Sequence, residues 1–585
     1  MKRIVVLALA VLLAALTVPI ASAQEEDDNV VLKIGNTQTF DTMNPTAGFN
    51  VNEYEVWNLQ YATLTDKAAD DFAAIPGLAE SWEPSDDGLT YTYTLREDLV
   101  WSDGEPLTAE DIVWTVNTSR DQGWANHIST VQNLTAVVVD ERTVEITSSV
   151  PDPKLPVMDV YIVPKHIWEP VATDAEAVTA YENLDGVGSG PFTIAEFPNE
   201  QLVRMIANPS YWGWQGEAPP IDEIVFQIYT NPDAMVAALT TGEMDAIYQF
   251  PATAMADLED EPNIETVVGF QGGFEEIAIN GGAAEGQPHP ALLDLEVRRA
   301  ISFGIDKEAV IEDLYAGLAL PATTMSPGAD LKWVPDIPEE DQFTYDPERA
   351  NQILDDAGYL DSDGDGVREM PDGSNPIVLR HAVHTGEDLA IPIADLFTGW
   401  MEQIGIGVEL SSYDGDQLFE LIIQGDYDTF YWNWVPFVDP DPMLSYFTEA
   451  ELGNYNDANW TDPRYEELYS EQKEELDPER RLEIVHEMLT ILYDAAVYIP
   501  LYIAPELQAY RTDRFEGWVR QPAEVGPIMF SNTSPSYVLL SPVGGDPDSG
   551  GTNIWLIVGG IAAVVVIGGV ALATRRRSTT ADDRE

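Results

Sequence analysis

Residues 89–111 read LTYTYTLREDLVWSDGEPLTAED, and they place a strand, a turn and a helix start in direct succession. The strand is predicted at residues 89–95, because apolar and polar residues alternate there strictly and would put the leucines and tyrosines on one buried face. Asp103 and Gly104 predict a turn. Thr108 and Asp111 then have the spacing of a helix N-cap and its acidic third residue. A strand that leads into a capped helix indicates an α/β fold.

The rest of the chain continues this alternation of strand and helix patterns, without an internal repeat. Three later helices are predicted to begin at Asn231, Asp346 and Asp477, each of which is followed by proline. Such a residue caps the free amides of the first turn, and proline already has the helical φ angle. Gly242 is predicted to end the first of these helices. With 585 residues, the chain is long enough to form two or more lobes.

The composition is strongly acidic, with 102 acidic residues against 28 basic ones and a formal net charge of −74. Such a surface repels phosphate groups, so nucleic acids and anionic lipids are excluded as general partners. The charge suits either cationic ligands or solubility in concentrated salt. The chain has no cysteine, which excludes disulfides, thiolate catalysis and cysteine-based zinc sites.

The N-terminal segment has the pattern of a secretory signal peptide. Lys2 and Arg3 precede an apolar run, and residues 21–23 read Ala-Ser-Ala, which suits the signal peptidase. Residues 1–23 are therefore predicted to be removed after export.

A second apolar run, at residues 554–573, predicts a transmembrane helix. It is about 20 residues long, which is enough to span ~30 Å of hydrocarbon. Residues 575–577 are all arginine, so the tail at 574–585 is expected in the cytoplasm. Residues 542–553 predict a flexible linker. The prediction is a single-pass protein of the cell membrane whose ectodomain, residues 24–541, lies outside the cell.

No motif for catalysis is recognisable in the sequence. His486 and Glu487 begin a zinc-protease pattern, but Thr490 stands where its second histidine is required. A nucleophile elbow and a phosphate-binding loop are absent from the sequence. A hydrolase that uses two carboxylates stays open as an alternative, and the chain is predicted not to be an enzyme.

One acidic segment has the spacing of a calcium loop. Asp361, Asp363 and Asp365 supply oxygens at positions 1, 3 and 5, Gly366 follows at position 6, and Asp372 falls at position 12. The alternative is a solvated Asp-Gly turn. The sequence thus predicts a possible structural calcium ion, and it indicates no required cofactor.

The order of segments resembles the family 5 extracellular solute-binding proteins, the peptide, nickel and oligosaccharide receptors of ATP-binding-cassette (ABC) importers. The resemblance extends over residues 30 to about 538. The segments that carry it are residues 79–82 with 89–111, residues 188–192, Asp245 after Gly242, residues 297–307, and residues 345–359.

The resemblance implies a two-lobed periplasmic-binding-protein-like fold, with a hinge, a cleft between the lobes and closure over the ligand. The implied boundaries are residues 30–60, 186–279 and 503–541 for lobe 1, residues 61–185 for an inserted subdomain, and residues 280–502 for lobe 2.

The resemblance also implies where the ligand lies. In peptide-binding relatives an aspartate a few residues after a tryptophan-bearing strand binds the peptide ammonium. Here the spacing after Trp434 is one residue short, so Asp439 and then Asp441 are the candidates, and a structural Asp-Pro-Asp turn is the alternative. Trp432 and Trp434 share one face of the predicted strand, where they line either the cleft or the core.

Four residues of the first segment are further candidate ligand contacts, because this stretch reaches the cleft in relatives. They are Phe40, Asn44, Tyr54 and Trp57.

The function implied by the resemblance is capture of oligopeptides and their delivery to the permease subunits of an ABC importer. Oligosaccharides are the alternative ligand, because tryptophans stack on sugar rings. A ligand sensor is the alternative role, although the short cytoplasmic tail favours delivery.

Overall fold

The computed structural model describes residues 29–48, 50–283, 288–386, 389–435, 437–529 and 535–544. The predicted signal peptide, transmembrane helix and cytoplasmic tail lie outside these residues, as does most of the predicted linker. Within the described part of the chain, no helix is both long enough and apolar enough to cross a membrane.

A seven-stranded mixed sheet forms the centre of what we call the first lobe. In spatial order its strands are Ile264–Gly269, Glu506–Arg511, Ala246–Tyr248, Val31–Asn36, Glu223–Ile228, Leu202–Ala207 and Phe192–Asn199. Val31–Asn36 is parallel to both of its neighbours. Residues before 37, between 192 and 269, and after 505 therefore meet in one sheet.

A six-stranded sheet forms the centre of the second lobe. In spatial order its strands are Leu320–Pro321, Tyr498–Ile503, Phe274–Ile279, Thr429–Trp434, Val378–His384 and Gly407–Tyr413. Successive residues of a strand point to opposite faces. Ile277 and Tyr431 accordingly join one apolar core, and Ala278 and Phe430 join a second core on the other face. Helices cover both faces, so the lobe is a three-layer α/β structure.

A four-stranded antiparallel sheet forms the small-sheet subdomain. Its strands, in order, are Ala79–Pro84, Thr90–Leu95, Thr143–Ser148 and Leu134–Asp140. Tyr93 is fully buried, and its hydroxyl donates a 2.6 Å hydrogen bond to the carbonyl of Leu155. The hairpin Thr65–Lys67 with Ala74–Pro76 extends from this subdomain, and the pair Phe515–Glu516 with Ser541–Pro542 lies near the C-terminus.

The helices connect these strands and cover the sheets. In chain order they are Val51–Gln60, Ala109–Gln122, Ala125–Val131, Lys165–Trp168, Ala175–Thr179, Pro232–Thr241, Met255–Glu259, Leu295–Gly304, Lys307–Tyr315, Pro347–Asp356, Ala390–Gln403, Gly415–Ile423, Asp441–Ser445, Pro463–Glu474, Pro478–Ala495 and Pro535–Leu539.

Four of these helices begin where the local sequence predicts. Thr108 and Asp111 form the predicted capping box of helix Ala109–Gln122. Asn231, Asp346 and Asp477 each cap a helix that begins at the following proline. The two-lobed α/β architecture is thus confirmed, whereas the lobe boundaries given above stay predictions.

Candidate functional site

Two chain segments join the lobes and form the hinge. Residues 270–273 connect strand Ile264–Gly269 to strand Phe274–Ile279, and residues 504–505 connect Tyr498–Ile503 to Glu506–Arg511. The segments run side by side, because the amide of Ala504 donates a 2.7 Å hydrogen bond to the carbonyl of Gly273.

The carboxyl ends of the parallel strands in both sheets face this hinge. In the first lobe, Asn36 and Tyr248 end parallel strands on the side where Glu506 pairs with Gly269. In the second lobe, Trp434 ends its strand opposite Phe274, the first residue after the hinge. Ligands of open α/β sheets bind at such carboxyl edges. The candidate site is therefore the cleft between these two edges.

Amide side chains lie at the first-lobe edge of the cleft, next to the carboxyl ends of its parallel strands and the hinge. Gln38, Asn52, Gln249 and Gln271 each have a buried side-chain oxygen that accepts no hydrogen bond from the described residues. Two of these side chains are held in place by hydrogen bonds from their amide N–H groups. Asn52 donates to the carbonyl of Gln38 at 2.6 Å, and Gln271 donates to Glu506 at 2.7 Å. Buried acceptors are normally paired, so this wall offers unused acceptors to a ligand.

Aromatic rings line the second-lobe side. Trp434 contacts Tyr446 with ring centres 5.1 Å apart, Tyr446 stacks on Tyr455 at 5.1 Å, and Tyr455 contacts Phe419 at 5.8 Å. Phe419 and Tyr455 are exposed, at 36% and 41%. The row thus runs from the hinge edge to the surface. Trp432 and Trp434, which share one strand face, both pack partly against the second-lobe core.

Beside this row lie two carboxyl groups for which the described part of the chain supplies no cationic partner. Glu276 faces the same side of the sheet as Trp434 and is fully buried, and Asp457 is 5% exposed. Burial raises the pKa of both carboxyl groups, and the charge of Asp457 raises the pKa of Glu276 further. The pair therefore retains protons at a pH where exposed carboxyls are ionised.

Sequence reasoning missed this pair. The available signal was residue type, because Glu275 and Glu276 interrupt a strand that is otherwise apolar and central in its sheet. Burying carboxylates in a central strand costs free energy unless the carboxylates have hydrogen-bond or ion-pair partners.

The predicted amine-binding aspartates already have partners of their own. Arg481 donates to both carboxylate oxygens of Asp439, at 2.7 and 2.8 Å. Asp441 accepts from Lys154 at 3.0 Å and from Gln472 at 2.8 Å. The Asp-Pro-Asp segment is thus held by ion pairs, and its role in binding a peptide amine stays a prediction without geometric support.

The four predicted contacts of the first segment lie at the joint between the first lobe and the small-sheet subdomain. Phe40 is fully buried in the first-lobe core. The side-chain amide of Asn44 donates to Val178 at 2.7 Å, and the indole of Trp57 donates to Met43 at 3.2 Å.

Tyr54, the fourth of these residues, is half-buried. Its hydroxyl donates to Asn126 at 3.3 Å, and burial raises its pKa to about 12. All four side chains therefore have structural contacts, and their ligand contacts stay predictions.

The acidic loop gathers four carboxylates, although not the four predicted. Oxygens of Asp361, Asp363, Asp365 and Glu369 lie within 4.8 Å of one another. Asp372 is outside this group, because its carboxylate accepts hydrogen bonds from the amide and hydroxyl of Ser374. Glu369, at position 9 of the loop, thus replaces Asp372 as the fourth candidate ligand.

The lobes are closed on each other in this structure. Lys154 of the small-sheet subdomain pairs with Asp441 of the second lobe at 3.0 Å. Phe72 packs against Ala329 and the partly buried Val438 across the same boundary. The cleft is therefore described in its closed form.

Comparisons with known proteins agree with the two-lobed α/β fold. The sequence profile of the bacterial extracellular solute-binding proteins, family 5 (middle region), matches residues 73–455. A Brucella ovis protein named as an ABC transporter peptide-binding protein is 27% identical over 338 residues, which is 57% of this chain and 59% of the relative. The chain thus spans less than two thirds of that protein.

A second relative matches over a longer stretch. The nickel-binding periplasmic protein of Escherichia coli is 24% identical over 476 residues, which is 77% of this chain and 85% of the relative. Among solved structures, the oligopeptide-binding protein AppA of Bacillus subtilis, in complex with a nonapeptide, superposes with a TM-score of 0.70. The match covers 88% of this chain and 99% of AppA at 21% identity, and it supports the fold.

Proposed function

Because the chain belongs to family 5 of the bacterial extracellular solute-binding proteins, we propose that it captures short peptides between its lobes and delivers them to the permease subunits of an ABC importer. Members of this family bind ligands and do not transform them, so the prediction that the chain is not an enzyme is confirmed. Closure over the ligand would present the surface that docks on the permease.

The observation that carries the peptide proposal is the set of unused amide oxygens on the first-lobe wall. A peptide offers about one backbone N–H donor per residue. Gln38, Asn52, Gln249 and Gln271 provide buried acceptors for such donors. Leaving one buried acceptor unpaired costs about 1–3 kcal/mol, so an occupant with several N–H groups suits this wall.

Oligosaccharides are the second candidate, and the aromatic row from Trp434 to Phe419 favours them. Nickel, the ligand in the name of one relative, receives less support. Within the described residues, the only group of three or more potential metal ligands is the acidic loop at 361–369. That loop adjoins the amino end of strand Val378–His384, through the hydrogen bond from Ile377 to Arg368, on the edge opposite the cleft.

Titration calorimetry tests the proposal with three probes: a pool of short peptides, a pool of oligosaccharides and nickel chloride. We expect heat from the peptide pool alone. Gln249→Leu should weaken peptide binding about fivefold to tenfold, because one hydrogen bond contributes about 1 kcal/mol. Gln417→Leu, the same change on an exposed helix position, is the matched control. Heat from sugars alone would overturn the peptide assignment.

We further propose that the protein stays on the outer face of the cell membrane, anchored by residues 554–573. The support is sequence alone: an apolar run of spanning length followed by three arginines. A chain ending before Ile554 should appear in the medium as a folded protein with unchanged ligand binding. If it stays on the cells, the anchor lies elsewhere.

A further inference from the structure

A small cavity in the second lobe lies beside the first residues of strand Tyr498–Ile503. Within the described residues, the neighbouring strand Leu320–Pro321 pairs only with Ile503 and Tyr502, so the start of Tyr498–Ile503 has no strand beside it on that side. The side chains that line the cavity include Ser302, Lys307, Thr323, Phe343, Tyr493 and Tyr498. Its volume is about 10 Å³ for the centre of a water-sized particle, which is room for one such particle.

This cavity is separate from the cleft between the lobes. Tyr498 pairs with Ala278, which is four residues from Phe274 at the hinge, and four residues of a strand span about 13 Å. The residues that line the cavity also differ from the amides and aromatic rings at the cleft. A particle bound here therefore has a role other than that of the captured ligand.

The amine of Lys307 is the charged group of the cavity. The residue is partly exposed, but its amine is enclosed by protein, and this burial lowers its pKa to about 7. The amine donates one hydrogen bond, of 2.7 Å, to the carbonyl of Ala322. An ammonium has three N–H donors, so two stay unused by the described residues. A buried charge without a partner of opposite sign is costly.

The described residues supply no such partner. The titratable groups nearest to the cavity on the surrounding elements are Glu276, Asp306, Asp341, Tyr493, Asp494 and Tyr498. Burial raises the pKa of both tyrosines and of Glu276, so none of these three supplies a negative charge near neutral pH. The three aspartates do not raise the pKa of Lys307, for which burial is the only cause of the shift.

The hydroxyl groups at the cavity add a further donor. Thr323 makes no side-chain hydrogen bond with the described residues, so its hydroxyl is available to an occupant. The hydroxyl of Ser302 already donates to the carbonyl of Arg298 at 3.0 Å. The hydroxyl of Tyr493 already accepts from the amide of Phe343 at 2.6 Å. An occupant that only accepts hydrogen bonds and carries negative charge suits this set of groups.

We propose that the cavity binds one monatomic anion, of which chloride is the common example, and that the ammonium of Lys307 and the hydroxyl of Thr323 donate to it. The anion compensates the buried positive charge, which a water molecule does not. The acidic surface repels anions at low salt, but at an ionic strength of about 0.5 M this repulsion is screened within a few ångströms. The site therefore suits concentrated salt.

Melting curves of the full-length protein test the site, because an anion that binds only the folded state stabilises it by mass action. Each protein is melted near pH 6 in sodium chloride and in sodium gluconate at equal ionic strength. Gluconate is too large for the cavity. The chloride response is the melting temperature in chloride minus that in gluconate. We expect this response to be about 1–3 °C larger in the wild type than in Lys307→Met.

Two further variants make the comparison specific. Lys473→Met makes the same change at an exposed position of the second lobe, and its chloride response should equal that of the wild type. Thr323→Val removes one donor and keeps the shape of the side chain. It should need about fivefold more chloride for the same response, because one hydrogen bond contributes to binding by about that factor.

The chloride response of the wild type should also depend on pH, because only the protonated amine attracts an anion. Lys307 loses its proton as the pH rises through about 7, so chloride affinity should be full near pH 6 and about a hundredfold lower near pH 9. This comparison needs no variant. It therefore tests the site even if Lys307→Met does not fold.

The outcomes decide between the cavity and other sources of a salt effect. Equal chloride responses in the wild type and in folded Lys307→Met would overturn the proposal and leave only a general effect of the two salts. Equal responses of the wild type near pH 6 and pH 9 would assign the cavity to a water molecule and overturn it as well. Absence of peptide binding would contradict the proposed function without affecting this inference.

Discussion

The ammonium group of Lys154 lies 3.0 Å from the carboxylate of Asp441, and this ion pair joins the small-sheet subdomain to the second lobe. Burial alone would lower the pKa of Lys154, but Asp441, Asp152 and Asp439 outweigh burial, so the pKa is raised. Both side chains are mostly covered, at 23% and 13% exposure. The pair is therefore an element of the closed state that an open state would lack.

Replacing Lys154 should shift the lobes toward the open state. A charge-assisted hydrogen bond contributes about 1.5–3 kcal/mol, so Lys154→Met should increase the radius of gyration of the ligand-free protein in X-ray scattering. Lys165→Met removes a more exposed pair with Glu110, within the subdomain, and should leave the scattering unchanged. Identical curves for wild type and Lys154→Met would show that this pair does not control closure.

Asp439→Asn should destabilise the fold. The side chain of Arg481 is 6% exposed and binds both oxygens of Asp439. Breaking a buried pair from one side costs about 3–5 kcal/mol, because the remaining charge is left uncompensated. Urea unfolding should show a loss of this order. Asp426→Asn, which removes an exposed partner of Arg380, should cost at most about 1 kcal/mol.

If Asp439→Asn instead leaves the free energy of unfolding unchanged and weakens peptide binding tenfold or more, the result would contradict this structural role. It would support the ligand-binding role that the family resemblance gives to Asp439.

Contacts between residues close in sequence could be predicted, and contacts between residues distant in sequence could not. Thr108 and its capping partner Asp111 are three residues apart, so the start of that helix could be predicted locally. Asp439 and Arg481 are separated by 42 positions, and only the packed lobe brings them together. Glu276 and Asp457 are further apart still in sequence. Helix starts could thus be predicted from local sequence, whereas the charge partners at the site depend on tertiary packing.

The stability of the protein should depend on pH through Glu55. This carboxyl accepts hydrogen bonds from the hydroxyls of Tyr248 and Tyr537, and burial raises its pKa to about 7. The folded state then binds more protons than the unfolded state between about pH 4.5 and 7. Stability from this group is present below that window and is lost as the pH rises through it.

The free energy of unfolding should fall by about 3 kcal/mol across this window, because the pKa of Glu55 rises from 4.5 to about 7 on folding and one pKa unit corresponds to about 1.36 kcal/mol. Glu55→Gln should remove it, so the difference in unfolding free energy between variant and wild type should change across this pH window. A difference that is constant from pH 4.5 to 7 would contradict the raised pKa of Glu55.

We propose that the acidic loop holds a structural calcium ion. An ion that binds only the folded state raises the melting temperature by mass action, so calcium added after chelation should raise it. The double variant Asp363→Asn, Asp365→Asn should lose this shift. Asp372→Asn should keep it, because Asp372 lies outside the carboxylate group. An unchanged melting temperature of the wild type in millimolar calcium would contradict the proposal.

The central claim is that the closed cleft takes peptides. Native mass spectrometry tests it most directly, on protein freed of ligand by unfolding and refolding and then offered equal amounts of a short-peptide pool and an oligosaccharide pool together with nickel chloride. We predict one bound peptide per chain, with masses drawn from the peptide pool. Adducts with the masses of sugars, or of nickel without a peptide, would contradict the account.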